Sequence, residues 1–136
     1  MRSIFIIFVL ILILIVSLVF IKNKTSVVPE AKSPNLASIS ISNSYVFASP
    51  VRARASGDLI RITVFILDND GFGIADKTVN LIADTKINVE NIQSLTDDTG
   101  KAIFDISSKN TGAFLIEAVV GNQNLPQKVK VVYDWY

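Results

Sequence analysis

The chain has 136 residues and a net charge of +1, from 13 basic and 12 acidic side chains, which provides no field to gather nucleic acid or an acidic polymer. It has no cysteine, so disulfides, thiolate metal sites and a thiol nucleophile are excluded. It has no histidine either, which removes the commonest general base and metal ligand; the composition points away from enzymatic activity, and no catalytic, cofactor-binding or metal-binding residue is assigned.

Every residue from Ile4 to Ile21 except Ser17 is apolar. At 1.5 Å per residue such a run spans roughly 27 Å, close to the hydrocarbon thickness of a bilayer. Residues 1–21 are therefore expected to form a single-pass transmembrane helix. The alternative is a cleaved signal, but such a signal has a shorter apolar region ending in small residues, whereas Leu18-Val19-Phe20-Ile21 runs straight into Lys22. Arg2 on one side and Lys22 with Lys24 on the other leave the positive-inside comparison nearly even. Asn23-Lys24-Thr25 fits the glycosylation sequon, a three-residue match too common to weigh. Residues 22–35 hold Pro29, Pro34, Ser26 and Ser33 among alternating charges and read as a tether. Its reach is about 20 Å as a coil and at most about 50 Å if extended.

From Leu36 to Tyr136 the helical period is missing and two-residue alternation takes over. Ile39 and Ile41 alternate with serines, and Val51-Arg52-Ala53-Arg54-Ala55 alternates again before Ser56-Gly57-Asp58; both are expected as edge strands. Leu59 to Leu67 places Ile60, Ile62, Val64 and Ile66 on one face and is expected at the centre of a sheet. After a turn at residues 68–76, Val79, Leu81 and Ala83 share a face, and residues 84–94 read as irregular. Thr96-Asp97-Asp98-Thr99-Gly100 turns into a strand with Ala102, Phe104 and Ile106 inward. Asn110-Thr111-Gly112 turns again, into Phe114, Ile116, Ala118 and Val120; a loop from Gly121 to Pro126 leads to Val129, Val131 and Tyr133. About seven short strands predict an all-β sandwich. Trp135-Tyr136 is expected to pack on it as a strand end.

Three segments, Asp68-Asn69-Asp70-Gly71-Phe72-Gly73-Ile74-Ala75-Asp76-Lys77-Thr78-Val79, then Thr96-Asp97-Asp98-Thr99-Gly100-Lys101-Ala102-Ile103-Phe104, then Thr111-Gly112-Ala113-Phe114-Leu115-Ile116-Glu117-Ala118, resemble in order and spacing the group 1 bacterial Ig-like domain of invasin and intimin. The likeness covers residues 36 to 134; Ile74 stands where the family usually has proline. It implies an immunoglobulin-like sandwich facing outward from the cell, and it carries over no binding residues. Physically, Gly71, Gly73 and Gly100 are expected to supply positive φ, and Thr96 with Asp97 to bond the backbone of their turn.

Asp68, Asp70 and Asp76 crowd one turn as oxygen ligands for calcium would, but Phe72 and Val79 occupy places where an EF-hand needs ligands. Turn chemistry is the reading preferred there, and for Asp97 and Asp98 beside Lys101. Asp105 and Glu117 read as outward residues of separate strands. Phe65, Leu67, Ile82, Ile103, Leu115, Val119 and Val132 fall out of phase with the core set; they are either covered singly by tilt and loops or form a docking or self-association face. The sequence thus predicts a single-pass membrane protein whose extracytoplasmic Ig-like domain has a structural or protein-binding role near the membrane, with no cofactor and no nucleic-acid partner. The alternatives are a secreted or surface adhesin fragment recognising an external ligand and, further off, a calcium-dependent or enzymatic domain.

Overall fold

The computed structural model describes residues 38–135. The expected helix at 1–21 and tether at 22–35 lie outside the described residues, as does Tyr136; among the described residues no helix is long and apolar enough to cross a membrane.

Eight strands follow in order: β1 (Tyr45–Ser49), β2 (Arg52–Arg54), β3 (Ile60–Phe65), β4 (Val79–Ile82), β5 (Ile87–Gln93), β6 (Lys101–Ser108), β7 (Gly112–Val120) and β8 (Gln123–Asp134). They form two four-stranded sheets, β1-β3-β6-β5 and β2-β8-β7-β4. This is the seven-strand immunoglobulin arrangement with its first strand split between the sheets. β1 pairs antiparallel with β3, and after the cis Ser49-Pro50 peptide β2 runs parallel to β8 in the other sheet.

Alternation builds the core. Ile60, Ile62 and Val64 of β3, Ala102, Phe104 and Ile106 of β6, Ile116 and Ala118 of β7, and Val131 and Tyr133 of β8 have no exposed surface. In place of an inter-sheet disulfide, Tyr133 reaches from β8 across the core and its hydroxyl donates to the Ile106 carbonyl of β6 at 2.8 Å. Burial, and secondarily Asp58, pushes this phenol up to about 12, so the proton that makes the bond stays in place at physiological pH.

Three expectations need correction. The Ile39–Ile41 stretch is a turn: the Ser40 carbonyl accepts from the Ser44 amide at 3.0 Å and hydroxyl at 2.7 Å. Serine side chains that bond the backbone locally compete with a ladder. The first strand is instead β1, missed because its outward positions are Tyr45 and Phe47. Residues 84–94 contain β5, whose alternation is broken by a register shift between Asn91 and Gln93. The Gly121–Pro126 loop contracts to a turn at 121–122, and Pro126 lies within β8 near its own irregularity. There it faces no second partner strand, since β2 pairs only with Val132 to Asp134.

Candidate interaction surface

The two loops that carry the sequence motifs meet at one end of the sandwich, backbone against backbone. A methyl group on Gly73 would lie 2.1 Å from the Thr99 carbonyl carbon, and one on Gly100 would lie 2.2 Å from the Ile66 oxygen. Gly100 also has φ +76, whereas Gly73 does not have positive φ; its requirement is space, and the expected turn conformation is corrected on that point. Thr96, buried to 2% exposure, knots the same junction. Its hydroxyl donates to the Ile74 carbonyl at 2.7 Å and accepts from the Lys77 amide at 2.9 Å.

The carboxylates of this end serve the turns. One oxygen of Asp68 accepts from the amides of Asp70 and Phe72, both at 2.9 Å. One oxygen of Asp97 accepts from the Thr99 amide and hydroxyl and the Lys101 amide. The Thr99 hydroxyl, then the Lys101 amide, hold Asp97 down at about 2 from its ordinary 3.8. A depressed carboxyl stabilises the fold fully above its unfolded value and less as pH falls toward the folded one. Asp97→Asn keeps an acceptor and removes the charge. The gap in melting temperature between the native chain and this variant is therefore expected to be widest above pH 4 and to close toward pH 2; a gap independent of pH in melts from pH 2 to 6 would contradict the assignment. Asp68, Asp70 and Asp76 do not converge on a common point, and among the described residues no group of three potential ligands is arranged to hold a metal.

The outward apolar residues do not share a face as grouped in the sequence. Phe65 and Ile103 belong to the first sheet, and Ile82, Leu115, Val119 and Val132 to the second. Ile82 and Leu115 are exposed, while Phe65, Leu67, Ile103, Val119 and Val132 are half-buried. Trp135, expected against the sandwich, is 69% exposed.

What covers Phe65 is not legible in the sequence. Tyr45 lies opposite it across β1 and β3, with ring centroids 5.2 Å apart, and Phe47, two residues further along β1, stacks on it at 6.3 Å and 11° between planes. Tyr45 and Phe47 remain 39% and 42% exposed, an aromatic cluster at the free edge of the first sheet. Beside it, the β1-β3-β6 register sets Ser49, Arg61 and Asp105 in one row. Arg61 grips Asp105 with two bonds of 2.9 and 3.0 Å, and that grip holds the Asp105 carboxyl below the usual range against the opposing effect of burial. Asp105 is thus outward, as expected, but covered rather than free. The result is an aromatic surface beside a closed ion pair, with Glu90 of β5 next in the row after Asp105; exposed aromatic rings are what protein interfaces favour. Among the described residues, the concavity lined by Pro50, Arg52, Arg54, Asp58 and Leu59 is open to solvent.

No family model matches the chain, and no curated protein matches its sequence. Solved structures do match its fold. Over 74% of this chain and 20% of that one, it superposes on invasin, a bacterial integrin-binding protein, with a TM-score of 0.66 and 20% identity. The adhesin InvE of Yersinia pseudotuberculosis matches over 73% of this chain and 28% of that one, with a TM-score of 0.63 and 20% identity. A C-terminal fragment of intimin, solved with the intimin-binding domain of its translocated receptor, matches over 71% and 33%, with a TM-score of 0.58 and 26% identity. The chain thus spans a third or less of the length of each, and shares with them the all-β, two-sheet Ig-like fold.

Proposed function

We propose that this chain is a membrane-anchored, extracytoplasmic Ig-like module that binds a protein partner through the outer face of its first sheet, without catalysis. The observation that carries the reading is the Tyr45, Phe47 and Phe65 cluster at a sheet edge beside the closed Arg61–Asp105 pair. Completing the burial of each exposed ring against a partner contributes about 1 kcal/mol, and the Arg61–Asp105 charges are already matched, so a partner that covers that pair meets little uncompensated charge from it. The fold shared with invasin and intimin, which are described with protein partners, supports protein recognition. The apolar run from Ile4 to Ile21 supports the anchor.

A second reading, an adhesin fragment that recognises an external ligand, is favoured by the likeness to adhesins. The two are separated by where the partner resides. With a photoreactive residue at position 47, irradiation of intact cells is expected to give a discrete cross-linked species. It should disappear on Tyr45→Glu and be absent when the probe is at Leu115, exposed on the outer face of the second sheet. Cross-linking to a component of the same cell supports the first reading, and cross-linking only after an external ligand is added supports the second. Equal cross-linking from positions 47 and 115 would sink both as readings of this surface.

A further inference from the structure

Among the described residues the most exposed large apolar residue in a loop is Phe72, at 66%, on the tip of the β3–β4 connection. It is held out, not loosely hung. The Asp68 carboxylate accepts the Phe72 amide, the Asp68 amide donates to the Phe72 carbonyl at 2.9 Å, and the Gly71 amide donates to the Asp68 carbonyl at 3.1 Å. A ring held two-thirds exposed by the chemistry of its own turn contributes little to the core of the fold.

The same loop is joined to the place where the polypeptide comes into the domain. The Ser40 amide donates to the Leu67 carbonyl at 2.8 Å, and the Asn43 side chain donates to the carbonyls of Asp68 and Asn69 at 3.0 and 3.2 Å. The first described residues of the domain therefore lie at the end that presents Phe72. Trp135 lies at the opposite end: β1 starts at Tyr45 beside this loop, β2 continues in the same direction, and β8 runs parallel to β2. Only the segment 22–35 separates the apolar run from the domain, a reach of about 20 Å as a coil.

We infer that Phe72 inserts into the interfacial region of the membrane that anchors the chain, so that the loop end of the sandwich rests on lipid and the aromatic face of the first sheet stands out along the membrane, toward a neighbour. This inference rests on the anchored reading above. Sinking one phenylalanine ring shifts the balance by roughly 30-fold. That is too little to hold a free domain on a bilayer, but it is enough to orient one that a tether holds at an effective concentration on the order of millimolar. The charges at this end limit the kind of lipid: Asp68, Asp70, Asp76, Asp97 and Asp98 stand against Lys77 and Lys101, so an anionic surface opposes docking and a zwitterionic one permits it.

The test uses the full chain reconstituted in phosphatidylcholine vesicles with brominated acyl chains, which quench indole only on contact. In Phe72→Trp combined with Trp135→Phe, fluorescence is expected to be quenched at least two-fold relative to unbrominated vesicles, and less when anionic phosphatidylglycerol is added. The unsubstituted chain, whose only indole is Trp135, is expected to show little quenching. Flotation of the same vesicles reads the anchor separately. A chain that floats while position 72 is no more quenched than Trp135 overturns lipid docking and leaves the anchor standing, whereas a chain that does not float removes the anchor and the docking with it. Cross-linking between copies through position 72, without quenching, would make a second copy the occupant and overturn the lipid assignment.

Discussion

Gly100→Ala is expected to destabilise the domain by about 4 kcal/mol, the sum of a left-handed backbone forced on a residue with a Cβ and a methyl group driven into a packed junction. The added carbon would sit 2.2 Å from the Ile66 oxygen and 2.9 Å from both the Gly73 Cα and the Ile74 amide nitrogen. All three are backbone atoms, so no side chain can swing aside. Those atoms are tied as well: the Ile66 amide donates to the Gly100 carbonyl at 2.8 Å, and the Ile74 amide donates to the Ile66 carbonyl at 2.9 Å. Gly73→Ala meets the same wall from the other loop, without the φ penalty, and is expected to cost about 3 kcal/mol. Gly71 is the control. It has φ +84, but a Cβ there would meet nothing within 4 Å, so Gly71→Ala is expected to lose only about 1 kcal/mol. Urea unfolding of a fragment beginning at Pro34 gives all three values, and equal losses at positions 71 and 100 would show that the loops do not interlock.

This junction also shows how far the sequence could be read. The motifs around Gly73 and Gly100 were visible as separate turns, and their likeness to one family gave the fold; that they are two halves of one contact is a fact of tertiary approach that no local period contains. The central strand β3 was legible because Ile60, Ile62 and Val64, with Ile66 just past its end, keep one phase, and all are fully buried. β5 was not, because its phase inverts at the shift between Asn91 and Gln93. The interaction surface was half legible for a related reason. Phe65 was marked as out of phase, but Tyr45 and Phe47 belong to a strand whose outward side is aromatic, so alternation of apolar with polar residues, the signal that reveals a half-buried strand, is missing there. Phe72 was read only as a residue where a calcium ligand was lacking. Its exposure depends on the Asp68 turn, and its position beside the start of the domain depends on Asn43, 25 residues or more away in the chain from the carbonyls it holds.

Phe104→Ala is expected to cost about 4 kcal/mol, within the range for emptying a buried phenylalanine site. Phe104 lies on β6, flanked by Ile62 of β3 and Asn91 of β5, and has no exposed surface. Neither sheet can close over the gap cheaply. β6 is paired on both sides along its length, and the Ile106 carbonyl two residues on is the one that Tyr133 holds from the opposite sheet, so a shift of β6 toward the cavity strains a buried hydrogen bond. A domain of this size has a total stability of about 5–15 kcal/mol, and with no cysteine in the chain no covalent link limits the unfolded state. The variant is therefore expected to retain the native fold only marginally, with a lowered urea midpoint and an unchanged dependence on denaturant. Leu115→Ala, at a position 56% exposed on the second sheet, removes a comparable apolar side chain and is expected to change stability by less than about 0.5 kcal/mol. A loss at Leu115 approaching that at Phe104 would mean that the outer face of the second sheet is packed against something in the folded protein, and the assignment of the working surface to the first sheet would have to be reversed.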